Sequence, residues 1–292
     1  MSSETGLVAT AQDLPPHVAD ALASPSPGEQ GEVDADGGRW HFVAWGSAND
    51  PPLLLAHGVG SSARGWWRVG PALAAAGRRV VAIDMPGHGL TASWDGRHRF
   101  VETAADLAGF IRNAGVARPE LAVVGHSWGA VVAAYLPQVG VRPAKLVLLD
   151  PAWLSLDELE ALTLDPSERR YNSVEEARAA VRASNPDWSD GDVMAKAHAV
   201  AEFDPACVRA VLLENGAYDA GMSALRHPDA RGIPVWLIRG EWSAGGLIPD
   251  GALPTIRTQI GSDRVITIVG GPHSPHRTHP EATVLAILRS LG

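Results

Sequence analysis

Short apolar runs recur along the chain, each stopping at glycine, proline or a polar residue. They are PPLLLAHG from Pro51, RRVVAIDMPG from Arg78, ELAVVGHS from Glu120, AKLVLLDP from Ala144, PVWLIRG from Pro234 and RVITIVGG from Arg264. Unbroken apolar runs of this length predict strands buried on both faces of a mostly parallel sheet. WHFVAWG, from Trp40, alternates loosely and predicts a further strand. Between the runs, WWRVGPALAAAG, VETAADLAGFIRNAG, GAVVAAYLPQVG and PEATVLAILRSL have helical spacing. Strand and helix in alternation predict an α/β fold with a doubly wound, mostly parallel sheet.

The alternation stops after Asp150 and resumes near Ile233. The residues between, 152–232, contain SLDELEALTL, SVEEARAAVRAS, DVMAKAHAVAEF and PACVRAVLLENGA, all helical in composition. An insertion of about 80 residues between two strands of one sheet is too long for a loop. It predicts a helical cap over the strand ends, where open α/β sheets bind ligands. Residues 1–30 are rich in Ala, Ser, Pro and Glu, and SPSPGEQGE reads as a linker. The expected organisation is therefore a partly flexible extension over 1–30, a core over 31–151 and 233–292, and a cap over 152–232.

The GHSWG pentapeptide, Gly125 to Gly129, follows one apolar run and opens a small-residue helix. Glycines two residues either side of a serine allow the sharp strand-to-helix turn that exposes a nucleophile. Ser127 is the candidate. A serine hydroxyl needs a neighbouring base. His273 lies in GGPHS, directly after the last strand, with His276 and His279 as nearby rivals. A metal site built from these three histidines lacks a carboxylate or cysteine at ligand spacing.

Together the motifs LLLAHGVGSSARGWW, DMPGHG, GHSWG and GGPHSPHRTHPE resemble the α/β-hydrolase superfamily over nearly everything from Arg39 to Leu291. The resemblance implies a hydrolase fold, with His273 as base and the backbone amides of Val59 and Trp128 as oxyanion hole. His57 is implied to be structural. Gly58, Gly60 and Trp153 are expected along the substrate pocket. Most members of the superfamily carry the third residue, an acid that orients the histidine, on the loop after PVWLIRG. This chain has Ser243 there. Haloalkane dehalogenases and certain lipases and lactonases take the acid from the end of the preceding strand, which here is Asp150. Glu241 and Asp250, both on the later loop, remain alternatives.

Composition adds limits. With 292 residues and 46% hydrophobic content, the chain suits one large domain with an insertion. Its net charge of −9 argues against a nucleic-acid footprint. No run of apolar residues is long enough to span a membrane. The single cysteine, Cys207, and the lack of a basic start followed by an apolar segment fit a cytoplasmic protein. Ten tryptophans, several beside the motifs, suit an apolar pocket. The expected activity is hydrolysis of a carboxylic ester or lactone of a medium-sized hydrophobic substrate, without cofactor or metal, by a monomer or homodimer. The alternatives are C–C bond hydrolysis, cofactor-free haloperoxidase or hydroxynitrile lyase chemistry, and a non-catalytic ligand-binding protein on the same fold. The serine nucleophile argues against a haloalkane dehalogenase or epoxide hydrolase, which need an Asp at that position.

Overall fold

The structure is a computed structural model that describes residues 6–35, 37–93, 96–164 and 169–292. Nine strands form one sheet: β1 (Gly6–Leu7), β2 (Glu29–Ala35), β3 (Gly38–Trp45), β4 (Pro52–Ala56), β5 (Arg79–Ile83), β6 (Ala122–His126), β7 (Lys145–Leu149), β10 (Val235–Gly240) and β11 (Val265–Ile268). Strands β8 (Trp153–Leu154) and β9 (Tyr218–Asp219) make a separate antiparallel ribbon. The order across the sheet is β1-β11-β10-β7-β6-β4-β5-β3-β2. All neighbours run parallel except β2 with β3 and β3 with β5.

The helices are α1 (Pro16–Ala23), α2 (Val69–Ala75), α3 (Phe100–Asn113), α4 (Trp128–Tyr135), α5 (Leu156–Leu164), α6 (Val174–Ser184), α7 (Asp190–Glu202), α8 (Pro205–Leu213), α9 (Met222–Leu225), α10 (Leu253–Ile260), α11 (Pro275–Thr278) and α12 (Pro280–Leu291). Successive strand residues face opposite sides of the sheet. Leu54, Leu146 and Leu148 therefore join one buried cluster with α3, α4 and α10. Leu53, Leu55, Val147 and Leu149 join a second with α1, α2 and α12. Both faces are covered, which is why the strands read as continuous apolar runs rather than alternating ones.

Two stretches near the N-terminus are more ordered than their composition suggests. Residues 6–23 belong to an extension expected to be partly flexible, in which HVADALAS could form a short helix; α1 covers Pro16–Ala23, and the whole stretch is packed on the molecule. β1 pairs with β11 at the sheet edge, and Leu7, Leu14, Val18 and Leu22 are buried in the second cluster. Apolar residues in this stretch are too sparse to form a run, yet each finds the face of α2, α12 or β11. SPSPGEQGE was expected to be a linker, but Glu29 and Gln30 begin β2. As the outermost strand β2 meets solvent along one side and carries Glu29, Glu32 and Asp34, so it lacks an apolar signature.

Residues 152–232 lie between β7 and β10 and hold α5 to α9 with the β8–β9 ribbon. Leu159, Val181, Val193, Val200 and Phe203 from this segment share the first buried cluster. Polar bonds fasten it to the sheet domain. The buried Asp192 carboxylate accepts from Trp67 Nε1 at 3.0 Å and Arg68 Nη2 at 3.0 Å, and Arg277 Nη1 donates to Asp192 O at 3.0 Å. Arg64 pairs with Glu202 on the same side. Among the described residues no helix is long and apolar enough to cross a membrane.

Candidate functional site

The strand β6 delivers the chain into a reversal at Ser127, which caps α4 with φ 53° and ψ −121°. A non-glycine residue there costs about 1–3 kcal/mol and persists only when its surroundings enforce it. Here they do. A Cβ on Gly125 would sit 2.4 Å from Gly129 O, and a Cβ on Gly129 would sit 2.4 Å from His57 O. Helix α4 thus lies directly against β6 and the turn after β4, and both glycines of the motif are required by backbone contact. Ser127 N donates to Leu149 O at 3.1 Å, which fixes the turn against β7.

Three of the sequence candidates meet at this point. His273 Nδ1 lies 2.7 Å from Asp150 Oδ2, and His273 Nε2 lies 3.0 Å from Ser127 Oγ. A carboxylate only accepts, so Nδ1 carries the ring proton and Nε2 is left to accept from the Ser127 hydroxyl. Asp150 is fully buried. Its Oδ1 accepts from Gly240 N at 3.0 Å, and its Oδ2 also accepts from Leu247 N at 3.0 Å. The carboxylate at the end of β7 is therefore held by the last amide of β10 and by one amide of the loop that follows, the loop on which Ser243 stands. Asp150 itself has φ 36°, a second strained position beside the first.

The other acids are engaged elsewhere. Glu241 accepts from Gly270 N at 2.7 Å and from Ser243 Oγ at 2.7 Å. The Gly270 amide, and then the Ser243 hydroxyl, hold its carboxyl below the usual carboxylate range. Asp250 pairs with the buried Arg239 at 2.7 Å. His276 is buried and stacks on Trp66 with ring centroids 4.9 Å apart. His279 Nδ1 is 2.9 Å from Thr278 Oγ1. The three histidines therefore point to different partners. His57 receives Met85 N at Nε2 (2.9 Å) and donates from Nδ1 to Gly58 O (2.7 Å), a brace across the turn after β4.

A cavity of about 920 Å³ opens over Ser127. Its wall includes Gly58, Val59, Trp128 and His273 from the sheet domain and Leu154, Leu162, Phe203 and Leu212 from the insertion. Trp128 is the first residue of α4, where a helix leaves its N–H groups without intrahelical partners. Trp153 and Gly60, expected along the pocket, do not line it. In the extended chain at β8 the neighbours Ala152 and Leu154 face the cavity, so strand alternation turns Trp153 away. Gly60 turns its carbonyl to Lys196 Nζ at 3.1 Å, while Ser61 takes the wall position.

Sequence reading did not single out His126, Lys196 or Arg277. His126 Nε2 donates to His273 O at 2.8 Å, and the two rings lie 4.7 Å apart. Burial, reinforced by His273 nearby, holds His126 well below the ordinary imidazole value, so it stays neutral. Its adjacency to Ser127 was a visible signal. Lys196 and Arg277 had none, because they reach the cavity from α7 and α11.

This arrangement can draw the proton from Ser127, hold the resulting imidazolium against a buried charge and present amides to a developing oxyanion. A family model described as the alpha/beta hydrolase family matches residues 53–287. The acetyltransferase component of an acetoin cleaving system from Pseudomonas putida is 34% identical over 131 residues, 45% of this chain and 33% of that protein. Epoxide hydrolase B of Mycobacterium tuberculosis is 39% identical over 105 residues, 35% of this chain and 29% of that one. The chain thus spans about a third of the length of these curated relatives. Among solved structures, an E-2-(acetamidomethylene)succinate hydrolase superposes with TM-score 0.74 at 22% identity, covering 90% of this chain and 99% of that one.

Proposed function

Because the chain belongs to the α/β-hydrolase family, we propose that it is a serine hydrolase that cleaves a carboxylic ester or lactone through an acyl-enzyme on Ser127. The observation that carries this function is the hydrogen-bonded line from Asp150 to His273 to Ser127, at 2.7 and 3.0 Å. His273 Nε2 takes the hydroxyl proton as Ser127 Oγ attacks the carbonyl carbon. The oxygen of the tetrahedral intermediate turns to the amides of Val59 and Trp128. Collapse expels the alcohol, which leaves with the proton from His273. Water, deprotonated by the same nitrogen, then releases the acid and restores Ser127. Asp150 stabilises the imidazolium in both halves without taking its proton.

The largely apolar cavity walls suit a medium-sized substrate with a hydrophobic part. Epoxide hydrolases in this family are expected to use an Asp at the elbow, and the serine here favours acyl transfer instead. Ser127→Ala should lower turnover of 4-nitrophenyl esters by about 10⁴ to 10⁶ and abolish labelling by a fluorophosphonate. A folded Ser127→Ala protein with more than a tenth of the original turnover would remove the function proposed.

A further inference from the structure

The turn that follows β4 ends on a hydroxyl that no step of the acyl transfer uses. Ser61 N donates to Gly58 O at 3.2 Å, which closes residues 58–61 into a β-turn. Such a turn keeps the Cα atoms of its first and last residues within about 7 Å of each other. A Cβ on Gly58 would lie 3.3 Å from Ser127 Oγ. Ser61 is therefore tied to the backbone that stands against the nucleophile, just beyond the candidate oxyanion amide of Val59. It lines the cavity and is only 8% exposed.

A serine hydroxyl can accept, and it has one proton to give. Arg277 Nη2 donates to Ser61 Oγ at 3.3 Å. A guanidinium only donates, so the Ser61 proton does not lie along that bond and is left for another acceptor. Among the described residues the Ser61 hydroxyl donates to none. Gly65 closes a second side, since a Cβ there would sit 3.0 Å from Ser61 Oγ and 3.1 Å from Arg277 Nη2. The side that remains is the cavity. A ligand that displaces water from it leaves this donor unpaired, at about 1–3 kcal/mol, unless the ligand brings an acceptor of its own. Accepting from a charged group also makes the hydroxyl a better donor, because bonds in a chain polarise one another.

Resting on the acyl-enzyme function of Ser127, we propose that Ser61 is a specificity-determining residue, and that the substrate is an ester or lactone with a second acceptor oxygen (ether, keto or hydroxyl) close to the scissile carbonyl. The Ser61 hydroxyl donates to that oxygen, while the amides of Val59 and Trp128 take the carbonyl oxygen. The apolar wall of Leu154, Leu162, Phe203 and Leu212 takes the hydrocarbon part. A purely hydrocarbon analogue is selected against, because it expels water from Ser61 and leaves the donor unpaired.

Pairs of esters that exchange a CH2 group for oxygen test this role. On the acyl side, 4-nitrophenyl methoxyacetate, 3-methoxypropanoate and 4-methoxybutanoate are set against the butanoate, pentanoate and hexanoate. On the alcohol side, 2-methoxyphenyl butanoate is set against 2-ethylphenyl butanoate. The readout is the ratio of kcat/KM within a pair, oxygenated over hydrocarbon, compared between wild type and Ser61→Ala. The intrinsic reactivity of each ester cancels in that comparison. In at least one pair Ser61→Ala should lower the ratio about three- to tenfold, the scale of one hydrogen bond. Ratios unchanged in every pair overturn the proposal, and a loss shared equally by both members would assign the hydroxyl to the oxyanion instead. If no ester is cleaved, binding decides. Amide analogues of the same pairs, with NH in place of the ester oxygen, are titrated by calorimetry into the Ser127→Ala protein and into the Ser127→Ala, Ser61→Ala double variant. The preference for the oxygenated member should fall about threefold or more in at least one pair when Ser61 is lost, and equal preferences in the two proteins for every pair overturn the proposal. Fluorophosphonate labelling and turnover of the hydrocarbon esters report separately on the acyl-enzyme function.

Discussion

At position 150 a buried carboxylate receives two amide N–H groups and one imidazole N–H. Asp150→Asn keeps the shape but replaces one acceptor by an NH2 group, which would then face a donor. The imidazolium also loses its counter-charge. Turnover should fall by about 10⁴, and stability should fall by about 1–3 kcal/mol from the amide left unsatisfied. Glu241→Gln should change turnover far less, because Glu241 holds Gly270 and Ser243. Ester hydrolysis and thermal melting of both proteins check this, and a dead Glu241→Gln beside a near-normal Asp150→Asn would move the acid to the later loop. His126 offers a second test at this scale. His126→Phe keeps a ring beside His273 but removes the donor to its carbonyl, and should lower kcat by about tenfold. His126→Gln, which keeps an amide donor near the Nε2 position, should restore most of it. Equal losses in both, with a matching drop in melting temperature, would make His126 merely structural.

At the scale of elements, the crossing of β6, α4 and the turn after β4 sets the geometry around Ser127. Helix α4 is built from small residues, with Ala130, Ala133 and Ala134 buried, so it can lie close to the sheet. Gly129→Ala inserts a methyl 2.4 Å from a backbone oxygen. Neither backbone can retreat without opening the sheet, so a loss above about 3 kcal/mol, or failure to fold, is expected. Gly251 has nothing within 4 Å of its added Cβ. Gly251→Ala should be neutral or stabilising by about 0.4–1 kcal/mol through the unfolded chain. Urea unfolding of the two variants compares them directly, and similar midpoints would refute the steric account. The elements themselves were largely legible. The strands of the sheet interior announced themselves because both faces are buried. β1 and β2 did not, since one is two residues long and the other is a half-exposed edge.

At the scale of the molecule, the buried histidines tie stability to pH. Burial lowers His57, His126 and His276 below the usual value of 6.5, the last two well below it, and pushes His88 down to about 3. A base depressed in the folded state is neutral there, whereas the unfolded chain binds its proton below 6.5. Unfolding therefore takes up protons, and stability is fully present above that value and lost as pH falls through it. Each such histidine contributes a slope of at most about 1.4 kcal/mol per pH unit. The unfolding midpoint in urea should drop between about pH 7 and 5. A flat profile would show that these rings titrate freely in the folded protein.

By itself the sequence determined the strands of the sheet interior and the helices that alternate with them. Each rests on contacts that are local or that follow one periodicity, so each leaves a mark in a short window of residues. Which of Asp150, Glu241 and Asp250 lies beside His273 was decided by tertiary structure, because β7 and β10 meet the last loop only after the sheet has assembled. The same holds for the cavity wall. Whether Ala152 and Leu154 or Trp153 faces Ser127 depends on how the β8–β9 ribbon sits on the molecule. Lys196 and Arg277 reach Gly60 and Ser61 from 136 and 216 residues away. No spacing in a linear chain encodes contacts at that range. They exist because packing of the insertion against the sheet brings α7 and α11 to one turn.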